Sequence, residues 1–567
     1  MTVTEARRAA RTDEGPPRTS YDLLTEPWLL VRTDAGVEEV SLIEAFERAP
    51  EIRGLAGEIP TQEAACLRLM SAVLYRVVDG MDLDDIVTDA WRALWRAGRL
   101  PMAEIRDYLT RYADRFDLLH PQTPFFQVAD LRTTGGGTSG LGKLIAEVPD
   151  GHPFFTARAG RDVDRLTYGE AARWLVHAHA YDYSGIKSGA VGDDRVKGGK
   201  GYPIGTGFAG TLGLLLAEGA TLAETLLLNL VLTMDSSRDR TPWEHPQLGA
   251  AVDGTHTQPL GPADAATWQA RRVRLIHDGY AVTDAVLANG DPIGPQNRRA
   301  VEPNSSWRYS EPQSKKFGGP TYMPLEHSPS RSLWRGLSAT LGERSTEAAS
   351  KAGQLAFPPA ALLDWLATLR TDRALDPGRP VTLRATGMAY GPQSASVATV
   401  IDDRLVLPLA VLADPAVKQC ATEAVDRADE AVRALGRLAA NLADASGRHL
   451  LPGMDDGARD RAVEVAFGQL DRHYRRWIGT LRTEADIPEH ELAWQQTVRH
   501  VLERIAGELV VAAGTPAFIG RAVGGRLLTA PIAENFFHAK IRAALPRAYP
   551  AHPTTDPRPA EHPKEDS

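Results

Sequence analysis

The alternation of apolar and polar positions changes character near Pro415. Beyond it, apolar residues recur at the three- and four-residue spacing of a single helical face. One set is Val425, Val432, Leu435, Leu438 and Leu442, and a second is Phe467, Leu470, Tyr474, Ile478 and Leu481. A third is Trp494, Val498, Val501, Leu502, Ile505 and Leu509, and a fourth is Phe537, Ile541 and Leu545. Four amphipathic helices joined by modest loops predict a C-terminal four-helix bundle over residues 405–550, with Trp477 packed inside it.

Upstream, over residues 20–404, the pattern is mixed. "WLLVRTDAGVEEVSL" predicts a hairpin around Ala35-Gly36. "QEAACLRLMSAVLYRVV" places Leu67, Met70, Val73, Leu74 and Val77 on one helical face. "RRVRLIHDGYAV" and "DRLVLPLAVL" read as strands separated by long Gly/Pro/Ser loops. Long loops inside a compact domain are functional or disordered. The expected fold class is therefore α+β: a large mixed N-terminal domain with long functional loops, then the helical bundle. Residues 1–19 and 551–567 are polar, the latter also proline-rich, and both are expected to be disordered.

Composition narrows the function. The chain has 567 residues, 43% hydrophobic and 24% charged, with a formal net charge of -9. A net-acidic protein can hold a polyanion only through local patches. Two cysteines, Cys66 and Cys420, build neither a disulfide framework nor a cysteine zinc site, which suits a reducing cytosol. "MTVTEARRAARTDEG" lacks the apolar core of a signal peptide. The most apolar stretch, "GTLGLLLAEGATLAETLLLNLVLT", is interrupted by Glu218 and Glu224, so no membrane role is expected.

One stretch stands out chemically. "AYDYSGIKSGAVGDDRVKGGKG", Ala180 to Gly201, is rich in glycine and lysine, and "YPIGTGFAG" follows it. A phosphate-binding P-loop fails here, because Gly199-Lys200 is followed by Gly201 and position 194 is Asp. Gly205, Gly207 and Gly210 match the dinucleotide spacing G-x-G-x-x-G, but the residues before them read as loop rather than buried strand. A nucleotide-binding enzyme built on residues 185–210 is the alternative reading. Other catalytic signatures are missing: "HELAW" puts Trp494 where a zinc-binding histidine would stand, and no G-x-S-x-G occurs. His177 and His179 read as ordinary helix histidines, since residues two apart share a face only on a strand. What remains is a cationic glycine loop whose free N–H groups and lysines suit a phosphate backbone, or a solvated surface loop. Little in it looks buriable, so it is expected to be mobile in the free protein.

Several segments line up, in order, with a known family. "YDLLTEPWLLV", "LLHPQTPFFQV", the glycine loop, "GDPIGPQ", "LEHSPSRS" and "AYGPQSAS" precede the helical region. Over residues 20 to 550 the chain resembles the CasA family, large subunits of the type I-E CRISPR surveillance complex Cascade. The resemblance implies a non-catalytic, cytoplasmic DNA-binding subunit. It would recognise the protospacer-adjacent motif on double-stranded DNA from the minor groove, help open the duplex for R-loop formation, and help recruit the helicase-nuclease. The implied partners are the other Cascade subunits, the CRISPR guide RNA, double-stranded target DNA and that helicase-nuclease.

The resemblance also implies particular residues. The family's glycine loop falls near Ser184 and Gly185, with Lys187, Lys197 and Lys200 beside them. Its lysine finger falls on Lys315 or Lys316 in "EPQSKKFGG". Its glutamine wedge falls on Gln393, flanked by Pro392 and Ser394; relatives commonly carry asparagine where Pro392 stands. A loop near the guide end and the duplex corresponds to Phe155, Thr156, Ala157 and Arg158. Arg472, Arg475 and Arg476 could line a DNA path in the bundle, or form a solvated helix face. Some relatives have a zinc knuckle near "GDPIG"; "NGDPIGPQNRRAVEPN" has no cysteine, so neither metal nor other cofactor is expected. The residue types suit the task. Glycine lets backbone approach a base edge, lysine is slender enough for the minor groove, and an inserted side chain unstacks a base step.

Overall fold

Leu29–Thr33 (β1) and Gly36–Val40 (β2) form the hairpin predicted around Ala35-Gly36. A computed structural model of the chain describes residues 16–81, 86–148, 158, 161–447 and 457–549. Gly54–Leu55 (β3) pairs with the other edge of β1. Of the segment 1–19 expected to be disordered, residues 1–15 lie outside the described residues, as do 551–567. Arg18, by contrast, is held: its N–H donates to the Gly279 carbonyl at 2.7 Å and its guanidinium pairs with Glu26 at 2.9 Å.

The chain divides into two compact units, Met1–Gln419 and Cys420–Ser567. At the centre of the first is the helix Pro60–Asp79. Proline is tolerated at its start because the first N–H groups of a helix have no intrahelical partner. The helix is buried on more than its predicted face, since Ala65, Cys66 and Leu69 are also buried. Its polar side chains find interior partners. Arg68 pairs with Glu302 at 2.8 Å, and the Thr61 hydroxyl meets His177 Nε2 at 3.0 Å. It packs against the helix Tyr168–Tyr181, which starts at a capping box of Thr167 and Glu170.

The remaining strands of this unit are Lys187–Ser188 (β4), Lys200–Gly201 (β5), Leu214–Glu218 (β6), Arg271–His277 (β7), Val282–Asn289 (β8), Trp307–Tyr309 (β9), Tyr322–Pro324 (β10), Pro380–Tyr390 (β11) and Val397–Pro408 (β12). All pairings are antiparallel: β4 with β5, β7 with β8, β9 with β10, and a three-stranded sheet in the order β12-β11-β6. "DRLVLPLAVL" is strand only as far as Pro408; Ala410–Ala413 is a helical turn. Trp28, Trp174, Trp307, Trp334 and Trp365 are almost completely buried in this unit.

Beyond Pro415 the four predicted apolar sets fall on the helices Pro415–Ser446, Gly457–Ile478, Ile487–Ile519 and Ala530–Ala544, except that Leu481 and Leu545 lie just past the ends of theirs. Tyr474, Trp477 and Trp494 pack as an aromatic cluster with ring centroids 5.3–5.6 Å apart. Each polar edge is satisfied: Tyr474 Oη donates to the Ala421 carbonyl, Trp494 Nε1 to that of Ala424 and Trp477 Nε1 to that of His490. The third helix is broken at Gly514, φ +70°, just before Pro516. A hairpin absent from the sequence reading, Arg521–Val523 (β13) with Arg526–Leu528 (β14), turns at Gly524-Gly525. Among the described residues, no helix is long and apolar enough to cross a membrane.

Candidate nucleic-acid interface

The glycine- and lysine-rich stretch is a built hairpin, not a patternless loop. Its base is a buried ionic cluster. The Asp182 carboxylate accepts from Lys187 Nζ at 2.7 Å and from Arg271 Nε. Arg271 also donates to the carbonyls of Asp182, Tyr183 and Gly205 at 3.1, 3.1 and 2.9 Å. Burial alone would raise the Asp182 carboxyl, but Lys187 and Arg271 hold it below the usual carboxylate range. Burial lowers the Lys187 ammonium against the opposing pull of Asp182. That ammonium also lies 3.9 Å from the Tyr183 ring centroid. Lys187 therefore faces inward and supports the hairpin from beneath, in contrast to its expected place among the DNA-facing lysines. Ser184 is buried too, so the expectation that little here could be buried fails at both positions.

The tip of the hairpin faces out, while Ala190 and Asp193 behind it are buried. Gly185 is half-buried, and a Cβ there would crowd the Tyr183 ring at 3.0 Å. Lys197 and Lys200 exchange two backbone hydrogen bonds of 3.1 Å across a two-residue turn. Its central residues, Gly198 and Gly199, have φ +57° and +74°, which only glycine adopts without strain. Lys197 and Lys200 thus stand exposed on either side of the tip. Arg195 ties the far strand to the body of the unit through Asp193 and the carbonyls of Asn289 and Gly290.

The dinucleotide-like spacing has a packing explanation. A Cβ on Gly207 would overlap the Ala180 backbone, and one on Gly210 would overlap the Tyr390 hydroxyl. Both positions face protein atoms. The residues that follow form a short 3-10 turn, Phe208–Thr211, and not the helix a dinucleotide site requires. His177 and His179 lie on the Tyr168–Tyr181 helix, as read from the sequence, and both are buried. Burial pushes them down to about 3 and about 4. Among the described residues no three His, Cys, Asp or Glu side chains gather as a metal site.

Gln393 sits at the tip of the β11–β12 hairpin. Gly391 N–H donates to the Ser396 carbonyl, and Ser394 N–H returns to that of Gly391, both at 2.9 Å. Pro392 and Gln393 are exposed, and Gln393 and Ser394 both hold positive φ, +57° and +53°. Three residues before the tip, Tyr390 Oη donates to the Tyr181 carbonyl at 2.6 Å. The structure therefore brings the Gln393 turn and the Ser184–Gly185 hairpin to one anchoring point.

Lys315 and Lys316 occupy an exposed helix, Glu311–Phe317, closed by Gly318 at φ +74° and carried between β9 and β10. The two lysines differ. Lys315 pairs with Glu311 at 2.7 Å, whereas Lys316 lies over the Phe317 ring, 5.3 Å from its centroid. Phe155, Thr156 and Ala157 lie outside the described residues. Arg158, expected in a loop near the guide end and the duplex, is instead interior: it pairs with Glu147 at 3.2 Å, Glu170 at 3.4 Å and Glu58. In the helical unit Arg472 and Arg476 are exposed, and Arg475 pairs with Asp471 at 2.7 Å. Tyr390 and Arg271 were missed in the sequence, although glycines spaced for close approach at 207 and 210 hint that something passes against them.

Comparison with solved structures places this architecture. Cse1 from Thermobifida fusca is 42% identical, with a TM-score of 0.85 over 94% of this chain and 99% of that one. Cse1 from Acidimicrobium ferrooxidans is 30% identical, with a TM-score of 0.76 over 94% and 100%. A mixed unit with projecting loops, followed by long helices, is thus the fold of a CRISPR-associated protein. The family model described as CRISPR-associated protein Cse1 matches residues 22–505. The CasA/Cse1 protein of Thermus thermophilus is 32% identical over 436 residues, 75% of this chain and 78% of that protein. The chain belongs to the CRISPR-associated Cse1 family, whose members are also called CasA.

Proposed function

We propose that the chain is the large subunit of a type I-E CRISPR surveillance complex, Cascade, and reads the protospacer-adjacent motif of double-stranded target DNA from the minor groove. It then helps open the duplex for guide-RNA pairing and helps recruit the helicase-nuclease, with no cofactor and no catalytic residue of its own. The observation that carries this reading is the Gln393 turn, stiff, exposed and tied to the hairpin that holds Ser184 and Gly185. A rigid tip loses little conformational freedom when it enters a base step, so more of the contact energy goes into unstacking.

The remaining residues take graded parts. Gly185 brings backbone to the groove. Lys197 and Lys200, exposed at the hairpin tip, meet phosphates. Lys316 is the finger, because Lys315 already has a carboxylate partner. Pro392 and Ser394 shape the wedge. Lys187 supports its hairpin from within, and Arg158 is held inside the protein by Glu58, Glu147 and Glu170. Arg472 and Arg476 flank the path of the DNA, and residues 155–157 lie toward the guide RNA.

The test is target binding by a guide-RNA complex assembled with and without this chain. Motif-dependent affinity should appear only with it. Lys316→Ala should weaken binding about tenfold, as expected for one base contact, and Lys315→Ala should stay near wild type. Equal affinity for wild type and Lys316→Ala would remove Lys316 from the site. Motif-dependent binding without the chain would overturn the function.

A further inference from the structure

The two proposed DNA-facing loops meet at the Tyr390 hydroxyl. The carbonyl it reaches belongs to Tyr181, the last residue of its helix. Helices leave their final carbonyls without intrahelical partners, so the hydroxyl caps this one. The contact is built from several sides. The β11–β12 register shifts at Ala389/Tyr390, so that Tyr390 comes opposite Val397. A bulge of this kind re-aims a side chain. Gly210 leaves the space the hydroxyl fills, and Gly207 lies against Ala180 while its N–H donates to the Asp182 carbonyl at 2.9 Å. Arg271 fixes the next two carbonyls, those of Asp182 and Tyr183.

Short, stiff pieces of chain lead outward from this point. Toward Gln393 there are only Gly391 and Pro392, whose φ is fixed by its ring. Toward Ser184 there are only Asp182 and Tyr183, both held by Arg271. We propose that Tyr390 is a positioning residue that sets the offset between the Gln393 turn and the Ser184–Gly185 hairpin, coupling motif reading to duplex opening. This rests on the reading of those loops given under Proposed function. Tyr390 itself touches no DNA. It acts by holding two contact surfaces in register, and groups aimed at one target lose effect when their support is loose.

Tyr390→Phe removes one oxygen and keeps the ring. Gly210→Ala drives a methyl group into the same hydroxyl from the other side. Hydrogen exchange on the free chain is the first readout. Amides in 183–191 and 391–396 should exchange about fivefold faster in both variants, the equilibrium factor for one neutral hydrogen bond. The second readout is opening of an intact target duplex, compared with a target carrying a pre-opened bubble, by the complete guide-RNA complex. Opening of the intact duplex should fall about fivefold, and pairing with the bubble should be unchanged. Unchanged exchange in both variants overturns the coupling, as does equal loss on both targets, which would mark a general folding role. Faster exchange with wild-type opening also overturns it, provided Gln393→Ala abolishes opening. If Gln393→Ala opens targets like wild type, the failure lies in the loop assignment itself.

Discussion

Gln393 and Ser394 place two side chains in the left-handed region at an exposed tip. Each such placement costs about 1–2 kcal/mol. Gln393→Gly should therefore raise folding stability by up to about 1 kcal/mol, the relieved strain less the chain entropy that glycine adds. The same variant should open target duplex poorly. Thermal melting paired with an opening assay reads both, and a variant that is neither more stable nor less active would deny the residue its role. His177 and His179 set a pH dependence. Their folded values, about 3 and about 4, lie below the ordinary histidine value of 6.5. Below pH 6.5 the unfolded chain takes up protons that the folded chain refuses, so stability falls as pH falls, by about 1.4 kcal/mol per histidine at pH 5.5. A His177→Gln/His179→Gln variant should lose less stability between pH 7 and 5.5 than wild type. Equal losses in denaturant titrations would contradict the burial argument.

The hairpin from Asp182 to Gly201 shows what sequence reading captures and what it misses. Helices were legible because a 3.6-residue period is local: the four apolar sets beyond Pro415, apart from Leu481 and Leu545 just past two helix ends, and the set from Leu67 to Val77 fall on helices. The β1–β2 hairpin was legible for the same reason, whereas the run "RRVRLIHDGYAV", read as one strand, breaks at residues 278–281 into the turn of the β7–β8 hairpin. The β12-β11-β6 sheet was not legible, since Leu214–Glu218 joins partners far along the chain. The candidate site divided in the same way. Glycine content and loop order pointed to the Ala180–Gly201 and Gln393 segments, which the structure joins through Tyr390 and Tyr181. The burial of Lys187 was hidden because a lysine is exposed by default, and its neighbour Arg271 is distant in sequence. The Tyr390–Tyr181 bond, 209 residues apart, left no local trace beyond two glycines. Lys187→Met tests the support directly. It leaves Asp182 paired with Arg271 alone and should cost about 1–3 kcal/mol, as for a lost charged hydrogen bond. Trypsin should then cut at Lys197 and Lys200 faster than elsewhere. Cleavage rates like wild type would show that the ammonium does not hold the hairpin.

For the whole molecule, a formal charge of -9 means that the proposed DNA contact is made by small basic features rather than a basic face. Lys197, Lys200, Lys316, Arg472 and Arg476 are exposed, and the proposed phosphate contacts of these cations make binding salt-sensitive through counterion release. Lys197→Ala/Lys200→Ala in the assembled complex should reduce the slope of log affinity against log salt by roughly 1–2. An unchanged slope would remove the hairpin tip from the phosphate path. The same economy explains why the loops need rigid anchoring, because sparse contacts must be well placed to discriminate. The most direct measurement of the central claim is the rate of duplex opening, followed by base-analogue fluorescence beside the motif, in a guide-RNA complex with wild-type chain, Gln393→Ala chain or none. The account predicts fast opening only with wild-type chain and only on motif-bearing DNA. Equal opening with the Gln393→Ala chain, or without any chain, would contradict it.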